Sequence, residues 1–414
     1  MPNVDRPAYD LIIFGATSFV GQLTTLALAR HLQAQGESLS WALAGRSQQK
    51  LERVRQSLGD DWAQLPLVVA DAADAAQLEA MCAQTRVVMS TVGPYALYGE
   101  PLVKACAESG TDYCDLTGET QWIKRMIDRY EATAKQTGAR IVHCCGFDSI
   151  PSDMGVRFLQ RQSLERFGEP AVEVKMRVRT LKGGASGGTV ASIVNVVREA
   201  SSDAATRRVL LDPYALCPKE HGFGSRQPRV NGAKYDADFS AWMAPFVMGS
   251  INEAVVRRSN ALLPDFHRPT FRYHEAMLTG SGGKGWLKAC SVSGALAAFM
   301  AGVALPPTRY LLEHFVLPKP GEGPSAEAQQ AGRYDLRFLG TTASGKQLRV
   351  RVTGVGDPGY ASTSRLLAQA ALCLAKDELP RQGGFWTSAS LLGDALEQRL
   401  TRHAGLTFEV MEAC

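Results

Sequence analysis

The sequence predicts an α/β protein: an N-terminal doubly wound parallel sheet, then a second, α+β domain with a mixed or antiparallel sheet. Three observations carry this. Short, wholly apolar runs alternate with helical patterns up to residue 150, a glycine turn follows the first run, and beyond Pro151 the apolar residues recur with a period of two. The length of 414 residues also exceeds what one hydrophobic core usually serves.

Leu11-Ile12-Ile13-Phe14 is the first apolar run, as a strand buried on both faces of a parallel sheet requires. Residues 41–44, 67–70, 87–90 and 141–144 repeat the pattern. Between them Leu51, Val54 and Leu58 share one helical face, as do Leu102, Val103 and Cys106. Strand–helix alternation implies right-handed crossovers, the plan of a Rossmann domain. After Pro151, Val172, Val174, Met176 and Val178 alternate with Glu173, Lys175, Arg177 and Arg179, so this strand has one buried and one wet face. Tyr334, Leu336 and Phe338, then Leu348, Val350 and Val352, form an antiparallel hairpin across a polar stretch ending at Gly345. Residues 318–332, with Gly321, Gly323 and Pro324, read as an exposed loop, and no internal repeat is present.

Bulk properties narrow the function classes. A hydrophobic content of 45% with 21% charged residues is that of an ordinary globular protein. A net charge of +4 over this length, without an arginine–aromatic stripe, gives no basis for nucleic-acid binding. The nine cysteines form no CxxC pair and the seven histidines lack metal-ligand spacing. Reduced thiols in a cytoplasmic protein are the expectation, with no metal site. Met1 to Asp10 are polar and include Asp5 and Arg6, unlike a secretory signal. Residues 289–308 carry no charge. They are long enough to span a bilayer, but Pro306-Pro307 and many small residues favour a buried helix, a homodimer contact, or a helix on a membrane surface.

Gly15-Ala16-Thr17-Ser18-Phe19-Val20-Gly21 follows the first strand and opens a helix. Gly15 permits the tight turn, Gly21 permits close helix–strand packing, and the helix N-terminus offers N–H groups to a pyrophosphate. Ser18 stands where a middle glycine often lies. The second strand ends in Arg46-Ser47, where an NAD site usually has an acid; Arg46, with Ser47 and Lys50, suits a 2′-phosphate, so NADP(H) is the expected cofactor. The plainer alternative is a solvated Arg46 and a helix-capping Ser47. Asp71 ends the third strand, and Thr91-Val92-Gly93-Pro94-Tyr95 follows the fourth, beside the expected ribose and nicotinamide.

Those residues, with Tyr98-Gly99, Asp115-Leu116-Thr117-Gly118-Glu119 and Gly146-Phe147-Asp148-Ser149-Ile150-Pro151, resemble the saccharopine-dehydrogenase-like oxidoreductases. Ser201-Ser202-Asp203, Asp212-Pro213-Tyr214 and Val256-Arg257-Arg258-Ser259-Asn260 look more specifically like the trans-acting enoyl reductases of polyketide-derived lipid assembly. Gly359-Tyr360-Ala361-Ser362-Thr363 and Gly383-Gly384 fit the wider family. The resemblance implies an NADP-binding domain over 1–150, a substrate domain over 151–354, and a segment, 355–414, that returns to the first domain. It implies reduction of an enoyl or related acyl substrate, free or carrier-bound.

A reductase needs a proton source besides its hydride donor. Tyr95 and Tyr98 lie in the loop that approaches the nicotinamide, although Pro94-Tyr95 also suits a packed turn. Asp115 could orient substrate; Glu119 could do so or favour the dipole of the next helix. Ser149 and Ser152 suggest helix capping after Asp148. Residues 183–189, rich in glycine, either cradle an acyl or phosphopantetheine group at a helix start or merely connect. Two other readings stay open. Arg177, Arg179 and Arg257 could hold carboxylates in saccharopine-type reductive C–N chemistry, or the chain could bind NADPH and lipid without catalysis.

Overall fold

The computed structural model describes residues 7–184, 187–266, 268–315, 323–379 and 382–411. The five apolar runs of the first part become β1 (Tyr9–Phe14), β2 (Trp41–Gly45), β3 (Leu67–Val69), β4 (Thr85–Ser90) and β6 (Arg140–Val142), and the stretch ending at Asp115, which is not an apolar run, adds β5 (Asp112–Asp115). Leu11, Ile12 and Ile13 are fully buried because helices cover both faces of the sheet. Then come β7 (Ala171–Lys182), β8 (Lys234–Asp236), β9 (Ala241–Ala244), β10 (Arg272–Gly280), β11 (Arg333–Thr342) and β12 (Gln347–Val355), followed by β13 (Gly384–Trp386) and β14 (Leu406–Met411).

The first sheet is wholly parallel, in the order β13-β6-β5-β4-β1-β2-β3. The strand order reverses between β1 and β4, the switch point where such sheets bind ligands. The second sheet is mixed, β14-β12-β11-β7-β10-β9-β8, with β7 and β10 parallel and its other pairs antiparallel. The β11–β12 hairpin places Phe338 opposite Val350 and Leu336 opposite Val352. Residues 355–414 serve both sheets. Helix Thr363–Lys376 packs on helix Phe19–Gln35 and β13 extends the parallel sheet, whereas β14 pairs with β12.

Three local expectations are corrected. Arg177 on β7 is not wet: it is 1% exposed, its Nε donates to Asp236 Oδ2 at 2.6 Å, and its Nη2 meets His274 Nε2 at 2.8 Å. The fold buries Arg177 while Arg179, next along the same face, stays exposed; burial, then Arg177 itself, pull the pKa of His274 down to about 3. The loop predicted at 318–332 includes a short helix, Ala326–Gln330, capped by Ser325; residues 318–322 lie outside the described residues. The uncharged stretch forms most of helix Gly282–Ala304, in which only Gly285, Ala289 and Val303 are buried. It is therefore no ordinary core helix. Among the described residues it alone is long and apolar enough to cross a membrane.

Candidate functional site

The glycine turn lies at the switch point. Gly15 has φ +86°, and a Cβ there would come within 2.7 Å of Val92 Cγ2 and 2.8 Å of Thr91 Oγ1. A Cβ on Gly21 would reach the Gly15 carbonyl oxygen at 2.1 Å, so both positions exclude larger residues. Gly15 and Ala16 donate their N–H groups to the Ala44 carbonyl at 2.9 and 3.2 Å, and Thr17 accepts through its carbonyl from Gln22 Nε2. Ser18 is the N-cap of helix Phe19–Gln35: its Oγ accepts from Gly21 N at 2.9 Å and meets Thr91 Oγ1 at 3.0 Å. Thr91 Oγ1 donates to the Gly15 carbonyl at 2.9 Å, which leaves Ser18 as the donor to Thr91. Serine in place of a middle glycine thus locks the turn to the end of β4. Phe19 and Val20, at the start of the helix, line a cavity beside this turn, where helical N–H groups lack intrahelical partners.

The other cofactor candidates surround the same edge. Arg46 is exposed, with no side-chain partner among the described residues, and no acid stands beside it at the end of β2. Ser47 caps helix Gln48–Ser57 by accepting from Lys50 N, the plainer of its two roles. Asp71 accepts from Ala73 N at 3.0 Å and stays out of the cavity wall. Thr91 and Gly93 line the cavity, whereas Val92 and Pro94 carry the backbone past it without forming its wall.

That cavity, about 340 Å³, runs from Ser18, Phe19 and Thr91 into an apolar chamber. Its far wall comprises Ile193 and Val196 of helix Gly187–Ser202, Met248 and Ile251 around the start of helix Gly249–Leu262, and Leu296 and Met300 of helix Gly282–Ala304. Gly187, Gly188 and Thr189 join the wall as the first turn of helix Gly187–Ser202, so the helix starts inside the glycine-rich stretch, whose residues 185–186 lie outside the described residues. Among the described lining residues there is no Lys, Arg or His.

The expected catalytic residues take other places. Tyr95 contributes to the wall but is only 3% exposed, and its phenol donates to the Ser90 carbonyl at 3.0 Å while accepting from Leu116 N. Burial, above all, raises its pKa well beyond 10. This is the packed-turn role. Tyr98 is 49% exposed and outside the wall. Asp115 is fully buried beneath it, accepting from Tyr113 Oη at 3.0 Å, His143 Nδ1 at 2.7 Å, and the backbone N–H groups of Thr117 and Cys144. Its oxygens are spent on holding β5 to the chain after β6. Glu119 starts helix Thr120–Thr137, and its carboxylate accepts from Tyr95 N, Ala96 N and Ser192 Oγ, tying the loop after β4 to helix Gly187–Ser202. Burial raises its pKa.

One acid does face the cavity. Asp148 lines it as the only carboxyl group among the described wall residues, and no hydrogen bond engages its side chain there. Burial alone raises its pKa to about 6. The loop is held by Phe147 N donating to Thr363 Oγ1 at 2.9 Å. Ser149 does not cap the helix that follows; its Oγ donates to Asn252 Oδ1 at 3.0 Å, drawing that helix to Gly249–Leu262. The sequence signal for Asp148 was only its place at a domain junction, which many structural acids share.

The fold is that of a dinucleotide-binding oxidoreductase, and an apolar chamber opens beside its glycine turn. Residues 11–142 match the family of the saccharopine dehydrogenase NADP binding domain. A trans-acting enoyl reductase of Mycobacterium tuberculosis is 41% identical over 409 residues, covering 95% of each chain. One from Mycobacterium ulcerans is 39% identical over 411 residues, with the same coverage. Saccharopine dehydrogenase from Saccharomyces cerevisiae shares the fold, with a TM-score of 0.52 at 11% identity, covering 97% of this chain and 99% of that one. The chain therefore belongs to the saccharopine-dehydrogenase-like oxidoreductases, among the trans-acting enoyl reductases. Its cofactor is NADP(H).

Proposed function

We propose that this chain is an NADPH-dependent reductase of enoyl thioesters bearing an acyl chain. The single observation that carries the reading is one continuous cavity, from the cofactor turn to an apolar chamber, with one carboxyl group and no cationic side chain among its described wall residues. A saccharopine-type substrate brings carboxylates, and burying them there would leave their charge uncompensated. An acyl chain needs no such partner, and each buried methylene contributes roughly 0.8 kcal/mol.

The residues fit the cofactor. Gly15 and Gly21 leave room at the turn, the helix start at Phe19 and Val20 would hold the pyrophosphate, and Arg46 would hold the 2′-phosphate. When bound, NADPH supplies a hydride. The protein orients the acyl chain against Ile193, Met248 and Leu296 and keeps water from the double bond. Asp148 supplies the proton: its O–H bond breaks, the α-carbon gains the hydrogen, and the carboxylate is reprotonated from solvent.

NADPH oxidation over a series of trans-2-enoyl thioesters tests the reading. Catalytic efficiency is expected to rise with chain length until the chamber is full. A flat response, or turnover only with amine and keto-acid pairs, overturns it.

A further inference from the structure

We propose that helices Gly282–Ala304 and Pro306–Phe315 form a hairpin that rests on an anionic lipid surface, with the acyl chamber directly behind it. Delivery of substrate by this route rests on the function proposed above; docking does not.

The hairpin exposes what water disfavours. Leu287 is 61% exposed, Leu305 58% and Phe315 78%, and Trp286, Tyr310 and Leu311 are exposed with them. Within the hairpin the helices touch, since a Cβ on Gly302 would lie 3.1 Å from Leu312 Cδ1. Apolar groups gathered on one supersecondary unit mark an interaction surface rather than scattered exposure.

Charge chooses the occupant. Helices Gly282–Ala304 and Pro306–Phe315 carry three cationic residues, Lys284, Lys288 and Arg309, against one acid, Glu313. None of the three cations has an ion-pair partner among the described residues. Cations beside an apolar face, with Trp286 and Tyr310 as amphipathic aromatics, suit the headgroup layer of a bilayer containing anionic lipid. A second copy on the same face would set one net-positive hairpin against another, three cations to one acid on each.

The hairpin lies along such a surface rather than across the membrane. Helix Gly282–Ala304 leaves the end of β10, and Thr279 Oγ1 donates to the Gly285 carbonyl at 2.9 Å. At its other end Val303 packs with Val194 and Val197 of helix Gly187–Ser202. Both ends are thus fastened to one body. The inner side of the same helix supplies Leu296 and Met300 to the chamber wall. A chain drawn from the lipid therefore meets the chamber after passing a single helix.

Sedimentation of the full chain with vesicles tests this. Binding is expected with phosphatidylcholine vesicles containing phosphatidylglycerol, and is expected to weaken as salt rises and to be much lower with phosphatidylcholine alone. The double variant Lys284→Glu/Lys288→Glu is expected to lose about tenfold or more in partitioning, and Leu287→Glu a comparable amount. Both variants should keep the wild-type melting temperature and its rate with a short, water-soluble enoyl thioester. No partitioning into anionic vesicles, or partitioning indifferent to these substitutions, overturns the docking surface. So does a stable dimer in solution that Leu287→Glu splits. Vesicle binding without turnover of any enoyl thioester would overturn the proposed reaction and leave the docking intact.

Discussion

Replacing Asp148 with Asn removes an acid at almost constant volume, and the structure fixes what should follow. The wild-type side chain has no hydrogen-bond partner among the described residues, so the change breaks no contact. Burial holds the carboxyl at about 6, against 3.8 ordinarily. A raised carboxyl pKa means the folded state binds the proton more tightly, so stability falls as pH climbs from about 4 to about 6 and stays lower above that. About two pK units correspond to roughly 3 kcal/mol, a ceiling for a group that partly faces an open cavity. The Asn variant should therefore match the wild type near pH 3, where both side chains are neutral. At pH 8 it should melt higher. Its rate should move the opposite way, falling by about 10²–10⁴ as expected for loss of a general acid. Wild-type efficiency should decline as pH rises through about 6, and this limb should vanish in the variant. Tyr95 and Cys144, both pushed well above their ordinary values chiefly by burial, do not titrate in that range. Melting curves at pH 3 and pH 8, with NADPH oxidation measured from pH 5 to 9, check each part. A variant that keeps the wild-type rate and acid limb would refute Asp148 as the proton donor. An unchanged melting temperature at pH 8 would refute the burial argument.

Three further substitutions probe the rest of the site. Arg46→Asp should erase the preference for NADPH over NADH, a loss of about 1.5–3 kcal/mol for a charge-assisted contact; equal wild-type affinities in fluorescence titration would count against Arg46. Gly15→Val should abolish NADPH binding, because the Cβ meets Val92 at 2.7 Å and the backbone has φ +86°; calorimetry showing normal binding by a folded variant would reject the turn as the cofactor site. Tyr95→Phe should cost about 1 kcal/mol of stability through its lost bond to the Ser90 carbonyl and change the rate less than tenfold; a loss of a hundredfold or more would return the phenol to catalysis.

Sequence alone was enough for the features whose causes are local. An apolar run such as Leu11 to Phe14 must be buried wherever it lies, so the parallel sheet could be read from its strands. Gly15 and Gly21 could be assigned because a turn and the helix it opens are built from consecutive residues. Period-two alternation likewise announced the β11–β12 hairpin. Tertiary structure decided whatever depended on which distant side chain stands opposite. Arg177 belonged to an alternating, apparently wet face until β8 and β10 brought Asp236 and His274 to it. Tyr95 and Asp115 stood at promising strand ends, yet the Ser90 carbonyl claims one and Tyr113, His143 and two backbone N–H groups claim the other. Ser149 had the spacing of a cap and bonded instead to Asn252, 103 residues away. The chamber draws Ser18, Asp148, Met248, Met300 and Tyr360 from across the chain. Hydrophobic period and turn chemistry act over a few residues, whereas a cavity is the space that packing leaves unfilled, and only the assembled fold determines where that space is and which carboxyl group faces it.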